Sequence, residues 1–273
     1  MSEHYPQFHT FLSENVVTPF YLRRLEGLQS IRLRDVLKRK NPYLFKAKNP
    51  ETTGELARSI VDAFLSSQEE TLFGDLMESF AIYVAATLWG GHKSKRVGLD
   101  LEFEREGVIT IVEIKSGVNW GNSSQIKRMK ENFKVARVAL RKETNAEIIA
   151  VNGCIYGKDA RPLKTDGDDA DKTYFKYAGQ DFWHFLSGDD NLFREIIKPI
   201  DEEAREKDAA FKLAYAAKIN ELTADLSLNF LRDGQINWIK LVEFVSGRDA
   251  VTLQTVERSD EVIAKAEDEV ERR

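Results

Sequence analysis

Asp100, Glu113 and Lys115 are charged residues set in otherwise apolar, strand-like sequence. They lie in the stretch GLDLEFEREGVITIVEIKSGVNWGNSSQ, residues 98 to 125. Side chains alternate across a strand with period two, so Glu113 and Lys115 share one face of VITIVEIK. A carboxylate and an ammonium on the face of a core strand cost free energy unless something pairs with them. A divalent cation and a phosphate would do so. Hard oxygen ligands suit Mg2+, which needs only one or two protein carboxylates and keeps open positions. Asp100 and Glu113 fit that role, with the Ile114 carbonyl as a further ligand and Glu102, on the face of Asp100, as a fallback. Lys115 fits a second role, positioning an attacking water and balancing charge on a phosphoryl transition state. Together these parts suit phosphodiester hydrolysis.

Glu78 is a fourth candidate. It interrupts the apolar run LFGDLMESFAIYVAATLW, on a side shared with Ile82 and Ala85. A buried acid needs a partner. Two readings stand open: support of a metal or its water, and a structural salt bridge.

The loop that leaves the second strand opens a helix. Helix N-termini attract phosphate through unpaired N–H groups and the dipole. Asn119, Asn122, Ser123, Ser124 and Gln125 can hydrogen-bond phosphates or base edges, and Lys127 adds charge. Trp120 could stack on a base or pack internally. Asn122 with Gln125 has the spacing of a capping box.

Elements that position these residues follow from periodicity. Leu99 to Glu104 and Val108 to Lys115 read as a hairpin around Arg105-Glu106-Gly107. Asn122 to Lys142 reads as a helix with an apolar stripe of Ile126, Met129, Phe133, Ala136 and Leu140. Ala146 to Tyr156 reads as a buried strand and Thr173 to Tyr177 as a short one. The intervening GKDARPLKTDGDDADK reads as an exposed, mobile loop; it lacks the ligand order of a calcium loop. Upstream, residues 1 to 50 read as helical and irregular, followed by separate helices at Thr53 to Ser66 and Thr71 to Trp89, the second ended by Gly90-Gly91. Downstream come helices at Asp181 to Leu186, at Asn191 to Ile200 and from Glu202 to Leu231. Asp233-Gly234 then breaks the chain, and Asn237 caps a short helix ended by Gly247. The expected class is α/β (α+β): a mixed sheet flanked by helices, with a helical N-terminal region (1–70), a core (71–200) and a helical extension (201–273).

The 273 residues carry a net charge of -5, so any anion-binding surface must be local. Nine Lys or Arg lie between Tyr21 and Lys48, and Lys127, Arg128, Lys130, Lys134, Arg137, Arg141 and Lys142 line the helix after the motif. A solvated charged face accounts for either cluster equally well. No uninterrupted apolar run of about 18 residues suggests a membrane span. Cys154 is a lone cysteine and the four histidines are scattered, which argues against a disulfide or a Cys/His zinc site and suits a reducing cytoplasm. Ser116 lacks histidine and aspartate partners for a hydrolase triad.

Asp100 with Glu113-Ile114-Lys115 resembles the PD-(D/E)XK nuclease signature, with Gly98-Leu99 replacing its proline-containing approach. EIKSGVNWGNSSQ is more specific and resembles type II restriction endonucleases, in particular a group that cuts GGNCC-like sites. Gly179-Gln180-Asp181-Phe182-Trp183, Ser187-Gly188-Asp189, and Asp233-Gly234 with Trp238 and Leu241 are similar to that group too. The resemblance spans about residues 70 to 247. It implies Mg2+-dependent cleavage of double-stranded DNA by a homodimer in a bacterial cytoplasm, with a cognate DNA methyltransferase protecting host DNA. Asp100, Glu113 and Lys115 carry the family's roles directly, and Glu78 less directly. Apolar residues Phe211, Leu213, Tyr215, Ile219 and Leu222 of the long helix offer a surface for pairing or for internal packing. A structure-specific repair or recombination nuclease, a DNA-binding protein without catalysis and a helical interaction module are the competing readings.

Overall fold

The computed structural model describes residues 2–167, 169–254 and 259–272. In chain order the helices and strands are α1 (Tyr5–Leu12), α2 (Thr18–Ser30), α3 (Leu33–Lys38), α4 (Pro42–Ala47), α5 (Thr53–Trp89), β1 (His92–Lys93), β2 (Leu101–Arg105), β3 (Val108–Lys115), α6 (Ser123–Leu140), β4 (Glu147–Cys154), β5 (Leu163–Lys164), β6 (Tyr174–Ala178), α7 (Gln180–Ser187), α8 (Leu192–Glu195), α9 (Ile197–Phe230), β7 (Leu231–Arg232), β8 (Gln235–Ile236), α10 (Trp238–Ser246) and α11 (Asp260–Arg272). They form two compact units, Met1–Val16 with Phe73–Glu202 and Val17–Leu72 with Glu203–Arg273.

The first unit holds a six-stranded sheet in the order β1-β2-β3-β4-β6-β5. β3 pairs antiparallel with β2 and parallel with β4, and β4 pairs parallel with β6. A parallel neighbour requires a crossover, which α6 supplies between β3 and β4. The expected apolar stripe of α6 does the packing. Met129, Phe133, Ala136 and Leu140 are buried with Leu99, Ile111, Ala150 and Tyr174, and Ile126 and Trp120 pack against them. The β2–β3 connection is tighter than the pattern implied. Arg105 already pairs with Val108, and Glu106 and Gly107 alone make the turn, with φ of 55° and 78°. Two central residues at positive φ match the twist of a hairpin, and glycine adopts that conformation without penalty. Gly153 on β4 is needed for another reason: a Cβ there would lie 2.2 Å from the Phe182 ring of α7.

One expectation needs correction. Residues 53 to 89 form one helix of 37 residues, not two. Nothing between Ser66 and Thr71 breaks it, since SSQEE contains neither Gly nor Pro. Among the described residues α5 is the one helix long and apolar enough, by length and composition, to cross a membrane. Leu56, Ile60, Val61, Phe80, Ala81, Val84 and Ala85 are already fully buried core residues. The segment from Gly157 to Lys172 is largely exposed among its described residues, as expected, but it is tied to α6. It contributes β5, and its acids grip α6: Asp166 meets Lys130 at 3.3 Å, Asp169 meets Lys134 at 3.1 Å, and Asp171 meets Arg141 at 2.7 Å. Arg137 is buried and donates to the carbonyls of Asp171 and Thr173. Much of the basic face of α6 is therefore neutralised internally. Asp168, part of the same acidic run, lies outside the described residues.

The second unit is helical apart from the β7–β8 hairpin. Phe211, Ile219 and Leu222 are buried in it, while Leu213 is exposed. The Tyr215 hydroxyl is hydrogen-bonded to Asp62. Internal packing thus takes most of the apolar stripe of α9. Asn237 caps α10 by accepting from the Lys240 amide.

Candidate active site

Asp100 immediately precedes β2. Its N–H donates to the Val112 carbonyl at 2.8 Å, and its Oδ2 accepts from the Ile114 N–H at 2.7 Å. Leu101 pairs with Val112, so one step further along the antiparallel ladder puts Asp100 opposite Glu113. Like charges directly opposite each other are destabilising unless a cation compensates them.

Glu113 is 8% exposed. Its Oε1 is 2.9 Å from Lys115 Nζ, while its buried Oε2 has no hydrogen-bond partner. Burial pushes the Glu113 carboxyl above the ordinary glutamate range. Lys115 opposes that shift, Asp100 adds to it, and Arg128 opposes it more weakly. The shift records an anion that the folded chain leaves under-compensated. Lys115 is partly exposed and lies 5.2 Å from the centroid of the Trp120 ring.

Glu78 reaches the same neighbourhood from α5. Burial raises its pKa, and the Asp100 charge raises it further, against the pull of Lys93 at 3.5 Å. The structure thus brings Glu78, Asp100, Glu113 and Lys115 into one electrostatic cluster. The carboxylate of Glu102, the fallback ligand, is engaged by the Ser94 hydroxyl and by Arg96.

Among the described residues no three Asp, Glu, His or Cys side chains close into a ready-made metal cage. Two carboxylates with a main-chain carbonyl still fit Mg2+, which retains several waters and is held by few protein ligands. The unpartnered, buried Glu113 Oε2 facing a second carboxylate is the observation that favours a cation there.

The loop residues divide by what they already bond. Asn122 and Gln125 complete the expected capping box: Asn122 Oδ1 accepts from the amides of Ser124 and Gln125, and Gln125 Oε1 accepts from the Asn122 amide. Their side-chain oxygens therefore serve the helix. Asn119, Ser123, Ser124 and Lys127 are exposed. Trp120 is half-buried, and its Nε1 donates to Asn152 Oδ1 at 3.0 Å.

Sequence reasoning missed Asn152 and Lys93. Asn152 is 1% exposed on β4, opposite Glu113 in the ladder, and its Nδ2 donates to the Glu113 carbonyl at 3.1 Å. A single polar residue inside AEIIAVNGCIY was the available signal. Lys93 lies on a two-residue edge strand, too short for periodicity to mark. The motif residues near Gly179 flank and form α7. Gly179 precedes α7, and Asp189 past its C-terminus accepts from the Tyr5 hydroxyl. Burial and that bond push Tyr5 up to about 12.

No curated protein sequence matches the chain. A family model described as type II restriction endonuclease EcoO109I matches residues 7–208, well over half of the 273 residues. The match takes in the N-terminal helices, which the motif resemblance had not reached, and stops short of Asp233-Gly234. A charged cluster built on a β-hairpin, a mixed α/β sheet and this match lead to one conclusion: the chain belongs to the family of the type II restriction endonuclease EcoO109I.

Proposed function

We propose that this protein is a Mg2+-dependent endonuclease that hydrolyses double-stranded DNA at a specific, palindromic, GGNCC-like site. Asp100, Glu113 and the Ile114 carbonyl are the groups that would hold the cation. When bound, Mg2+ polarises the scissile phosphate and lowers the pKa of a water ligand. Lys115 supplies a donor and a positive charge beside Glu113, positioned to hold the attacking water and to offset charge developing on the phosphoryl oxygens. Glu78 supports the cluster through Lys93 and through its field on Asp100. Asn119, Ser123, Ser124 and Lys127 are the loop groups best placed to meet DNA, since Asn122 and Gln125 are engaged in the cap.

One such cluster cuts one strand. A homodimer on a palindromic site cuts both, because its two-fold axis matches that of the duplex. The reading includes a methyltransferase acting on the same site to protect host DNA. The observation that carries the proposal is the buried Glu113 carboxylate with one oxygen unserved, opposite Asp100 and 2.9 Å from Lys115.

Incubating phage genomic DNA with the protein and Mg2+, then sequencing the ends, tests it. Discrete fragments sharing one end sequence are expected, with none in EDTA and none from Lys115→Ala. Smears or cutting only at junctions would favour a structure-specific nuclease, and binding without cleavage under any metal would remove the enzymatic reading.

A further inference from the structure

Lys115 has a long flexible stem, and holding it in one place opposes its rotamer entropy. Glu113 restrains its ammonium at 2.9 Å. That restraint weakens once the Glu113 carboxylate is committed to a cation. Trp120 supplies a second restraint. The ammonium sits 5.2 Å from the Trp120 ring centroid, inside the range over which an aromatic face attracts a cation. Trp120 is itself oriented, because its Nε1 donates to Asn152 Oδ1 at 3.0 Å. Asn152 is oriented in turn, because its Nδ2 donates to the Glu113 carbonyl at 3.1 Å. One amide, 1% exposed, thus ties the backbone of the carboxylate residue to the indole that faces the lysine.

We propose that Trp120, locked by Asn152, is a positioning residue that keeps Lys115 aimed at the reacting phosphate, in place of a stacking contact with DNA. This rests on the reading of Lys115 given above. The indole's packing against the α6 core explains why its ring is half-buried. Packing alone does not require the Asn152 bond.

The test measures single-turnover cleavage, duplex affinity and melting temperature for Trp120→Leu and Trp120→Phe. A misplaced catalytic group costs on the order of 10–100-fold in rate. Trp120→Leu is expected to lose that much rate, with affinity for the duplex within twofold of wild type. Trp120→Phe retains a ring face without the Asn152 bond and is expected to fall between the two. Wild-type cleavage by Trp120→Leu, or a loss confined to DNA affinity, overturns the proposal. If Trp120→Leu fails to fold, Trp120→Phe decides, and a wild-type rate there overturns it. A second readout needs no catalysis: in a 15N spectrum Lys115→Met should shift the Trp120 indole resonance among those of the four tryptophans. An unmoved indole counts against the contact. Failure of the underlying reading looks different, since Lys115→Ala would then cleave normally.

Discussion

Lys115 and Glu113 are 2.9 Å apart, and Lys218 and Glu221 are 2.8 Å apart. Both glutamates are 8% exposed. The two pairs nevertheless differ in what surrounds the carboxylate. Glu221 Oε2 accepts from Lys218 and also from the amide and hydroxyl of Ser259. Burial would raise the Glu221 pKa, but these three donors outweigh it and hold the carboxyl below the ordinary range. Among the described residues Glu113 has Lys115 as its side-chain donor and Arg128 as a weaker charge, feels the charge of Asp100, keeps Oε2 unpartnered, and is held above that range. Ion-pair length therefore says little about role. A carboxylate given three donors by its own chain is held as a structural anion, while one left short of donors is available to a ligand.

The largest test of this contrast is catalytic. Removing one group that stabilises transition-state charge costs about 10²–10³ in rate. Glu113→Gln and Lys115→Ala are expected to lose at least that much cleavage in a single-turnover assay, and Glu221→Gln to lose none per folded molecule. Stability should reverse the order. Leaving a buried charge unpaired costs about 3–5 kcal/mol, so Glu221→Ala, which strands Lys218, should show that loss in urea unfolding. Glu113→Gln, measured in EDTA, should melt at or above the wild-type temperature, because its burial cost disappears. A Glu113→Gln that melts well below wild type would class both pairs as structural. Next in size is the metal itself. A ligand at 100 times its Kd stabilises the native state by about 2.7 kcal/mol. Saturating Mg2+ should raise the wild-type melting temperature but not that of Asp100→Asn or Glu113→Gln.

The smallest effects are those of pH. The Glu221 pKa is lower in the folded state, so its contribution is present above the unfolded glutamate value of about 4.3 and is lost as pH falls through the folded value. Wild type should therefore lose more stability than Glu221→Gln on acidification below about pH 4.3. Cys154 has the opposite sign. Burial pushes its thiol up to about 11, so its contribution is full below the unfolded value of about 8.5 and is lost as pH rises toward 11. Native protein at pH 8 should resist iodoacetamide at this position until it is unfolded; ready alkylation would contradict that burial.

Much of the site was legible without coordinates because its logic is local. The alternation of VITIVEIK sets Glu113 and Lys115 on one face, the Glu106-Gly107 turn brings the Asp100 strand back against it, and Asn122 with Gln125 starts α6. The apolar stripe of α6 likewise found its predicted core. Each depends on residues a few positions apart. The continuity of α5 was misread because a short polar stretch looks like a connection, yet SSQEE is compatible with helix. The ties of the acidic loop to α6 were not legible, because composition alone does not reveal that its carboxylates meet the cations of that helix.

By itself, the sequence determined which side chains carry charge, which strand faces they occupy and where the turn and the cap fall, since backbone sterics and side-chain period act between near neighbours. Only the tertiary structure decided that Glu113 keeps an unserved oxygen while Glu221 gains the Ser259 donors, that Glu78 feels the charge of Asp100, and that Asn152 links Glu113 to Trp120. Desolvation and hydrogen-bond supply depend on what packs against a group from distant parts of the chain, and no local pattern contains that information.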